Sequence, residues 1–278
     1  LEIAGRLAAE AAGDAPGGAA ASELSGIRGT VVASAGSTAT GGDLVLPSFE
    51  EVRSDPVAFN EAFRLLYANL NPFTARRLIQ PHGDRLVIHN PPAFPLPPAE
   101  LDRVHELPFT REAHPAYGPT GIRALQTVRF SIVSHRGCCG ECSFCGLAVH
   151  QGRFVTSRSA ASLLREARAL SERPDFKGTI TDVGGPTANM YAAGCARWSR
   201  QGFCADRSCL TPEVCRSLRL GYAESLEVYR KMRALPGVKH VFIGSGFRHD
   251  LLVDRSAEPY LKEVLEHHIS GQMKVAPE

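Results

Sequence analysis

Thr127-Val128-Arg129-Phe130-Ser131-Ile132-Val133-Ser134 runs directly into His135-Arg136-Gly137-Cys138-Cys139-Gly140-Glu141-Cys142-Ser143-Phe144-Cys145. The first half, 127–134, is rich in β-formers and reads as a strand. The second half is a tight loop in which Cys138, Cys142 and Cys145 are spaced C-x3-C-x2-C, with the aromatic Phe144 directly before the last. Thiolates are soft ligands suited to iron and sulfide. Three on one loop can hold three corners of a 4Fe-4S cluster and leave one iron open to a substrate or cofactor.

Other frames compete for the same thiols. Cys139-x2-Cys142-x2-Cys145 opens like a bacterial ferredoxin run, which next needs Cys-Pro, but Val149 and His150 stand there. Zinc would take Cys142 and Cys145 as half a site; His150 could add a ligand, yet no neat second pair follows. The open cluster is the preferred reading, with zinc or buried thiols as alternatives and Cys139 as a spare.

A regular alternation extends from about residue 123. Ser159 can cap a helix through Arg173 with Leu163, Leu164, Ala167 and Leu170 on one face. Residues 178–183 read as a strand closed by Gly184-Gly185-Pro186. A helix over 222–235 carries Val228, Met232 and Leu235 and stops at Pro236-Gly237. Residues 239–244 form the next strand, ended by Ser245-Gly246. Leu261, Val264, Leu265 and His268 mark a further helix, and 272–276 a further strand. Strands alternating with helices imply a parallel sheet with right-handed crossovers. In a parallel β/α barrel every C-terminal strand end lies on one rim, so the cysteine loop, Gly184-Gly185, Ser245-Gly246 and Pro277-Glu278 would converge there. Glycines at that rim let backbone approach a ligand closely.

The first part of the chain is less regular. Residues 1–42 are rich in Ala, Gly and Ser: 1–12 reads as the end of a helix, and Gly17-Gly18 and Gly41-Gly42 as connection. Pro47-Ser48 is a helix entry, followed by Phe49, Val52, Val57, Phe59, Phe63 and Leu66 at roughly helical spacing. A strand over 85–89 is broken by Asn90-Pro91-Pro92, and five prolines in 91–98 exclude a helix or central strand there. The expected division is 1–122, the C-terminal part of an N-terminal domain plus a proline-rich connection, and 123–278, the first part of a β/α barrel with a cysteine-rich insertion at 191–220.

That insertion holds Cys195, Cys204, Cys209 and Cys215, separated by eight, four and five residues. Four thiols suffice for a closed zinc site or a second cluster, structural or electron-relaying, and packed free cysteines are the plain alternative. His150 and Arg153, just behind the cysteine loop, are candidates for shaping the site. His249-Asp250 and His267-His268 could be acid–base or metal groups, with ordinary helix or loop surface groups as the preferred reading.

With 278 residues and 44% hydrophobic content, the chain can bury one large core or two modest ones. Eight cysteines without a secretory leader point to a reducing compartment, and no apolar run is long enough to span a bilayer. A soluble cytoplasmic protein without a membrane partner is expected. The formal charge of +2 says little about nucleic acid, although 195–233 carries eight Arg or Lys against four Asp or Glu, a faint hint of an acidic or RNA partner. The start at Leu1 and the stop at Glu278, just after a strand-like stretch, read as an excerpt of a longer protein.

Several long strings, in order, carry a resemblance. They are Leu46-Pro47-Ser48-Phe49, Asn90-Pro91-Pro92, His135 through Cys145, His150-Gln151-Gly152-Arg153, Ser157-Arg158-Ser159, Asp182 through Tyr191, and Lys274-Val275-Ala276-Pro277-Glu278. Together they resemble the YgiQ family of radical S-adenosylmethionine (SAM) proteins. The resemblance implies an α/β fold: a TIM-like radical SAM barrel, partial here, preceded by part of an N-terminal α/β domain. It further implies that Cys138, Cys142 and Cys145 hold the cluster, that SAM chelates the open iron, and that its cleavage yields a 5'-deoxyadenosyl radical. By the same resemblance Gly184 and Gly185 contact the SAM amino group and Phe144 lies near adenine; Ser245 and Gly246 are read as cofactor-binding from their place on the rim of strand ends. A flavodoxin- or ferredoxin-like electron donor is implied, and no substrate or substrate-contacting residue is. Cys139 departs from the family, which usually has a non-cysteine residue beside the first ligand. The expectation from another class is a non-catalytic iron–sulfur or zinc module, and a third is an RNA-binding scaffold.

Overall fold

The computed structural model describes residues 26–35, 39–118 and 121–276. The expected helix at 1–12, Gly17-Gly18 and Pro277-Glu278 lie outside them. The chain forms two units: 1–94 with 200–205, and 95–199 with 206–278.

In the first unit, β1 (Val31–Ser34), β2 (Leu44–Val45), β3 (Leu78–His82) and β4 (Arg85–His89) form a sheet in the order β1-β4-β3-β2. β4 runs antiparallel to both neighbours, and β2 pairs parallel with β3. Gly83, at φ +58°, makes the tight turn between β3 and β4. The helix expected after Pro47 is two helices, α1 (Phe49–Ser54) and α2 (Pro56–Ala68). Ser48 and Glu51 form a capping box, whereas Asp55 ends α1 and caps α2 with Pro56 at its first position. Neither helix buries a residue fully; Val57, Phe59 and Phe63 are exposed.

The second unit opens with α3 (Pro98–His105), so Pro98 of the proline-rich stretch starts a helix, where its missing N–H costs nothing. The strand expected over 127–134 is shorter than its β-formers suggest. Leu125–Val128 forms a helical turn, α4, and only Ser131–Val133, β5, is extended. After β6 (His135–Arg136), α5 (Leu147–His150) and β7 (Thr156–Ser157) come α6 (Ala160–Ser171), β8 (Thr179–Ile180), β9 (Asp182–Gly184), α7 (Tyr222–Arg233), β10 (His240–Val241), β11 (Phe247–Arg248), α8 (Glu258–His267) and β12 (Val275–Ala276).

Parallel pairing links these strands in chain order. β5 pairs with β9, β8 with β10, and β11 with β12. Val183 N donates to Phe242 O at 3.0 Å, joining the second step to the third. The sheet fragments are short, and no closed barrel forms among the described residues.

The crossover helices pack on one face of these strands. Ser159 caps α6 through Ser162 N, and Leu163, Ala167 and Leu170 are buried, with Leu164 packed at the edge. Val228 and Met232 of α7 join Ile132, Ile180, Val183, Val241 and Phe247 in the same core. Each fully buried side chain of this size contributes about 1.5–3 kcal/mol. On α8 the buried stripe is Tyr260 and Val264, continuing to His268, while Leu265 is exposed. A four-residue step along that helix sets the buried face, and Leu265 falls just off it.

Candidate functional site

The cysteine loop begins where β5 ends. Val133 lies opposite Gly184 in the β5–β9 ladder, and Ser134 N donates to Gly184 O at 2.7 Å. The chain therefore emerges into the loop beside Gly184-Gly185, at neighbouring C-terminal ends of parallel strands. β6 pairs antiparallel with β7 and ties the base of the loop, His135 opposite Ser157. Gly137, at φ +81°, has no room for a side chain: a Cβ there would stand 1.6 Å from Phe154 O. Glu141 also takes positive φ, and Arg153, 7% exposed, pairs with its carboxylate. Arg153 thus shapes the loop, whereas His150 is exposed at the end of α5.

Cys138 is buried. Its Sγ lies 3.5 Å from Thr187 Oγ1 and 3.8 Å from Met190 Sδ, and Gly140 N donates to it at 3.4 Å. Cys142 and Cys145 are half-buried, and Cys142 Sγ accepts from Arg248 Nη1 at 3.1 Å. Phe144 is 77% exposed.

The glycine clusters are close-packed. A Cβ on Gly184 would stand 2.3 Å from Ser245 Oγ, and one on Gly185 2.5 Å from the His135 ring. Asp182 fastens the opposite turn, accepting from Gly244 N at 2.8 Å, Ser245 N at 3.2 Å and Ser245 Oγ at 2.6 Å. Gly246 O accepts from Ala188 N at 2.9 Å, and a Cβ on Gly246 would meet only Ala276 Cβ, at 3.6 Å. Gly184, Gly185 and Ser245 are thereby brought together. His135, wholly buried, bonds Ser134 Oγ through Nδ1 at 2.9 Å; burial lowers its pKa to about 4, weakly opposed by the Thr187 backbone.

Cys139, the spare of the sequence reading, is buried and hydrogen-bonded to Cys209, which together with burial raises its pKa well above that of a free thiol. The same bond, with Arg153 and Trp198 nearby, lowers the pKa of Cys209. Cys204 belongs to the first unit, and Cys195, Cys209 and Cys215 to the second. Among the described residues no three His, Cys, Asp or Glu side chains gather in a metal-holding group. His249 is exposed and Asp250 pairs with Arg248; His268 is buried against Val241 O, and His267 is exposed. A cavity of about 440 Å³ lies elsewhere, against α6, lined by Arg111, Arg158, Arg165, Arg173 and Glu166 among others, with no cysteine.

Arg248, Asp182, Thr187 and His135 were not singled out from the sequence as site residues. The signal for Arg248 is its place: a charged residue directly after Ser245-Gly246-Phe247, at a strand end where an apolar residue would ordinarily close the core.

The family described as Radical SAM N-terminal matches residues 2–131. The chain is 52% identical over 233 residues to a UPF0313 protein of Methanosarcina acetivorans, covering 84% of this chain and 31% of that protein. It is 49% identical to a UPF0313 protein of Methanocella arvoryzae, covering 84% and 38%, and 43% identical to one of Fusobacterium nucleatum, covering 84% and 42%. The chain belongs to the UPF0313 family, the YgiQ family of radical SAM proteins. It spans between 31% and 42% of the length of these curated relatives. No helix among the described residues is long and apolar enough to cross a membrane.

The donor chemistry matches the cofactors that such a family implies: four of the eight free cysteines stand on the loop after β5, Cys138, Cys142 and Cys145 among them, and a buried guanidinium faces the Cys142 sulfur, although the three sulfurs are not gathered into a metal-holding group.

Proposed function

We propose that this chain carries the SAM-cleaving centre of a radical SAM enzyme acting on an unidentified substrate. Cys138, Cys142 and Cys145 would hold a 4Fe-4S cluster. When bound, that cluster supplies the electron that splits SAM into methionine and a 5'-deoxyadenosyl radical. The observation that carries the reading is the juxtaposition of the cysteine loop after β5 with Gly184-Gly185 after β9, locked by the Val133–Gly184 pairing. In this reading Gly184 and Gly185 would approach the amino end of SAM through their backbone, Ser245 and Gly246 would form the facing turn, and exposed Phe144 would cover adenine. The parallel pairs β5–β9, β8–β10 and β11–β12 would be the first part of a β/α barrel completed by chain beyond these residues. The reading requires a low-potential electron donor of flavodoxin or ferredoxin type, and free thiols suit a reducing, cytoplasmic setting.

The test is electron paramagnetic resonance of anaerobically reconstituted, reduced protein with and without SAM. A four-iron signal that changes on adding SAM supports an open iron. A cluster signal indifferent to SAM favours a closed electron-relay module, and zinc without iron would sink the enzymatic reading. Alanine at Cys138, Cys142 or Cys145 should abolish the signal, whereas Cys139→Ala should keep it.

A further inference from the structure

Arg248 is a cation almost wholly removed from water, 3% exposed, beside the cysteine loop. Its Nε donates to Asp250 at 3.1 and 3.2 Å and its Nη2 at 2.6 Å, while Nη1 reaches Cys142 Sγ at 3.1 Å. Its backbone is clamped in both directions by Asn189, N to Oδ1 and O from Nδ2, each at 3.0 Å. A methyl group on Gly140 would stand 2.5 Å from Nη1 and 3.4 Å from Cys138 Sγ, so the guanidinium lies against the turn joining Cys138 to Cys142.

A buried arginine must be matched by negative charge. Asp250 provides one carboxylate, itself partly exposed. The N–H aimed at Cys142 meets a weak acceptor if the sulfur is a neutral thiol, and a strong, charge-assisted one if it is a metal-bound thiolate. We propose that Arg248 is a positioning residue that hydrogen-bonds the Cys142 sulfur of the cluster and raises the cluster's reduction potential, with Asp250 limiting how much of its charge is felt. This inference rests on the cluster reading above.

The sign follows from charge. Reduction adds one electron from an external one-electron donor, which is oxidised in turn, and makes the cluster more negative. A cation bonded to a ligand sulfur favours that reduced state. Removing the cation lowers the potential. Neutralising Asp250 leaves more of the cation uncompensated and raises it.

The experiment is an anaerobic dithionite titration of the cluster-loaded full-length protein, followed by electron paramagnetic resonance, comparing wild type with Arg248→Gln, Arg248→Lys and Asp250→Asn. At a fixed potential, Arg248→Gln should shift the reduced-to-oxidised ratio about tenfold toward oxidised, a midpoint about 59 mV lower for a one-electron couple. Asp250→Asn should shift it the other way, and Arg248→Lys should fall between wild type and Arg248→Gln. Unmoved midpoints, or Gln and Asn variants that move in the same direction as general loosening would make them, overturn the inference. Should Arg248→Gln fail to hold iron, Asp250→Asn decides alone, and a midpoint at or below wild type is the negative result. A wild type with a SAM-responsive cluster and unmoved variants overturns only the role of Arg248. A wild type that takes up no iron overturns the cluster reading with it.

Discussion

Gly185 lies flat against the imidazole of His135: a Cβ added to the glycine would stand 2.5 Å from Cε1 and 2.7 Å from Nε2. The ring is wholly buried and cannot swing into solvent. Gly185→Ala must therefore displace the ring or the strand end, and Gly184→Ala collides with the Ser245 side chain at 2.3 Å. Each should cost about 1–3 kcal/mol by overpacking. Gly246→Ala meets only ordinary contact with Ala276, and its stability should stay within about 0.5 kcal/mol of wild type. Urea denaturation separates the three, and equal losses would contradict this account of the rim.

The same imidazole gives a pH dependence. Burial lowers its pKa from 6.5 to about 4, so the folded state keeps it neutral while the unfolded chain takes up a proton below about 6.5. Its stabilising contribution is complete above that value and is lost as pH falls toward 4, by about 3 kcal/mol in all. His268, lowered by burial in the same way, adds in the same sense. His135→Gln should flatten the slope of unfolding free energy between pH 4 and 6.5 without abolishing it. A slope unchanged from wild type would mean that His135 carries a proton in the fold.

Much of the second unit was legible because its signals are local. Ser159 before an apolar stripe, Pro236-Gly237 after one, and glycines closing each strand all depend on neighbours in sequence, and the structure places α6, α7 and the strand ends accordingly. The elements that differ are set by distant partners. Residues 127 and 128 carry β-formers, yet Thr127 O accepts from Thr181 Oγ1 and the segment turns helical before the sheet begins. Asp55 splits one expected helix in two because a capping carboxylate before proline can both end and start a helix. In the site, the cysteine spacing was readable, but Cys139–Cys209 joins residues 70 apart and Arg248–Cys142 residues 106 apart. No periodicity encodes such pairs.

Cys209 should be the most readily alkylated thiol outside the cluster loop. Its hydrogen bond from Cys139 and the charge of Arg153 hold its pKa below that of an ordinary thiol, so a larger share is thiolate at neutral pH. Iodoacetamide labelling read by peptide mass spectrometry should be faster at Cys209 than at Cys195 or Cys215 near neutral pH, and Cys139→Ser or Cys139→Ala should slow it. Uniform labelling of Cys195, Cys209 and Cys215 would show that the pair has no effect on reactivity.

Glu166 receives two buried guanidinium groups, from Arg111 and Arg158, whose side chains are 8% and 1% exposed. Both arginines also strap β5 and its flanks: Arg111 Nη1 donates to Arg129 O at 2.8 Å and Ser131 O at 2.9 Å, and Arg158 Nη1 to Val133 O at 3.0 Å. Neutralising the shared carboxylate would leave two cations with little access to water in the strand that leads into the cysteine loop. Glu166→Gln should therefore cost about 3–5 kcal/mol, the range for breaking a buried ion pair. The exposed pair Lys231–Glu227 offers the contrast; Glu227→Gln should leave the denaturation midpoint unchanged. Parallel urea denaturation measures both. A Glu166→Gln variant as stable as Glu227→Gln would show that the backbone carbonyls and the Ser162 hydroxyl suffice to hold the two arginines.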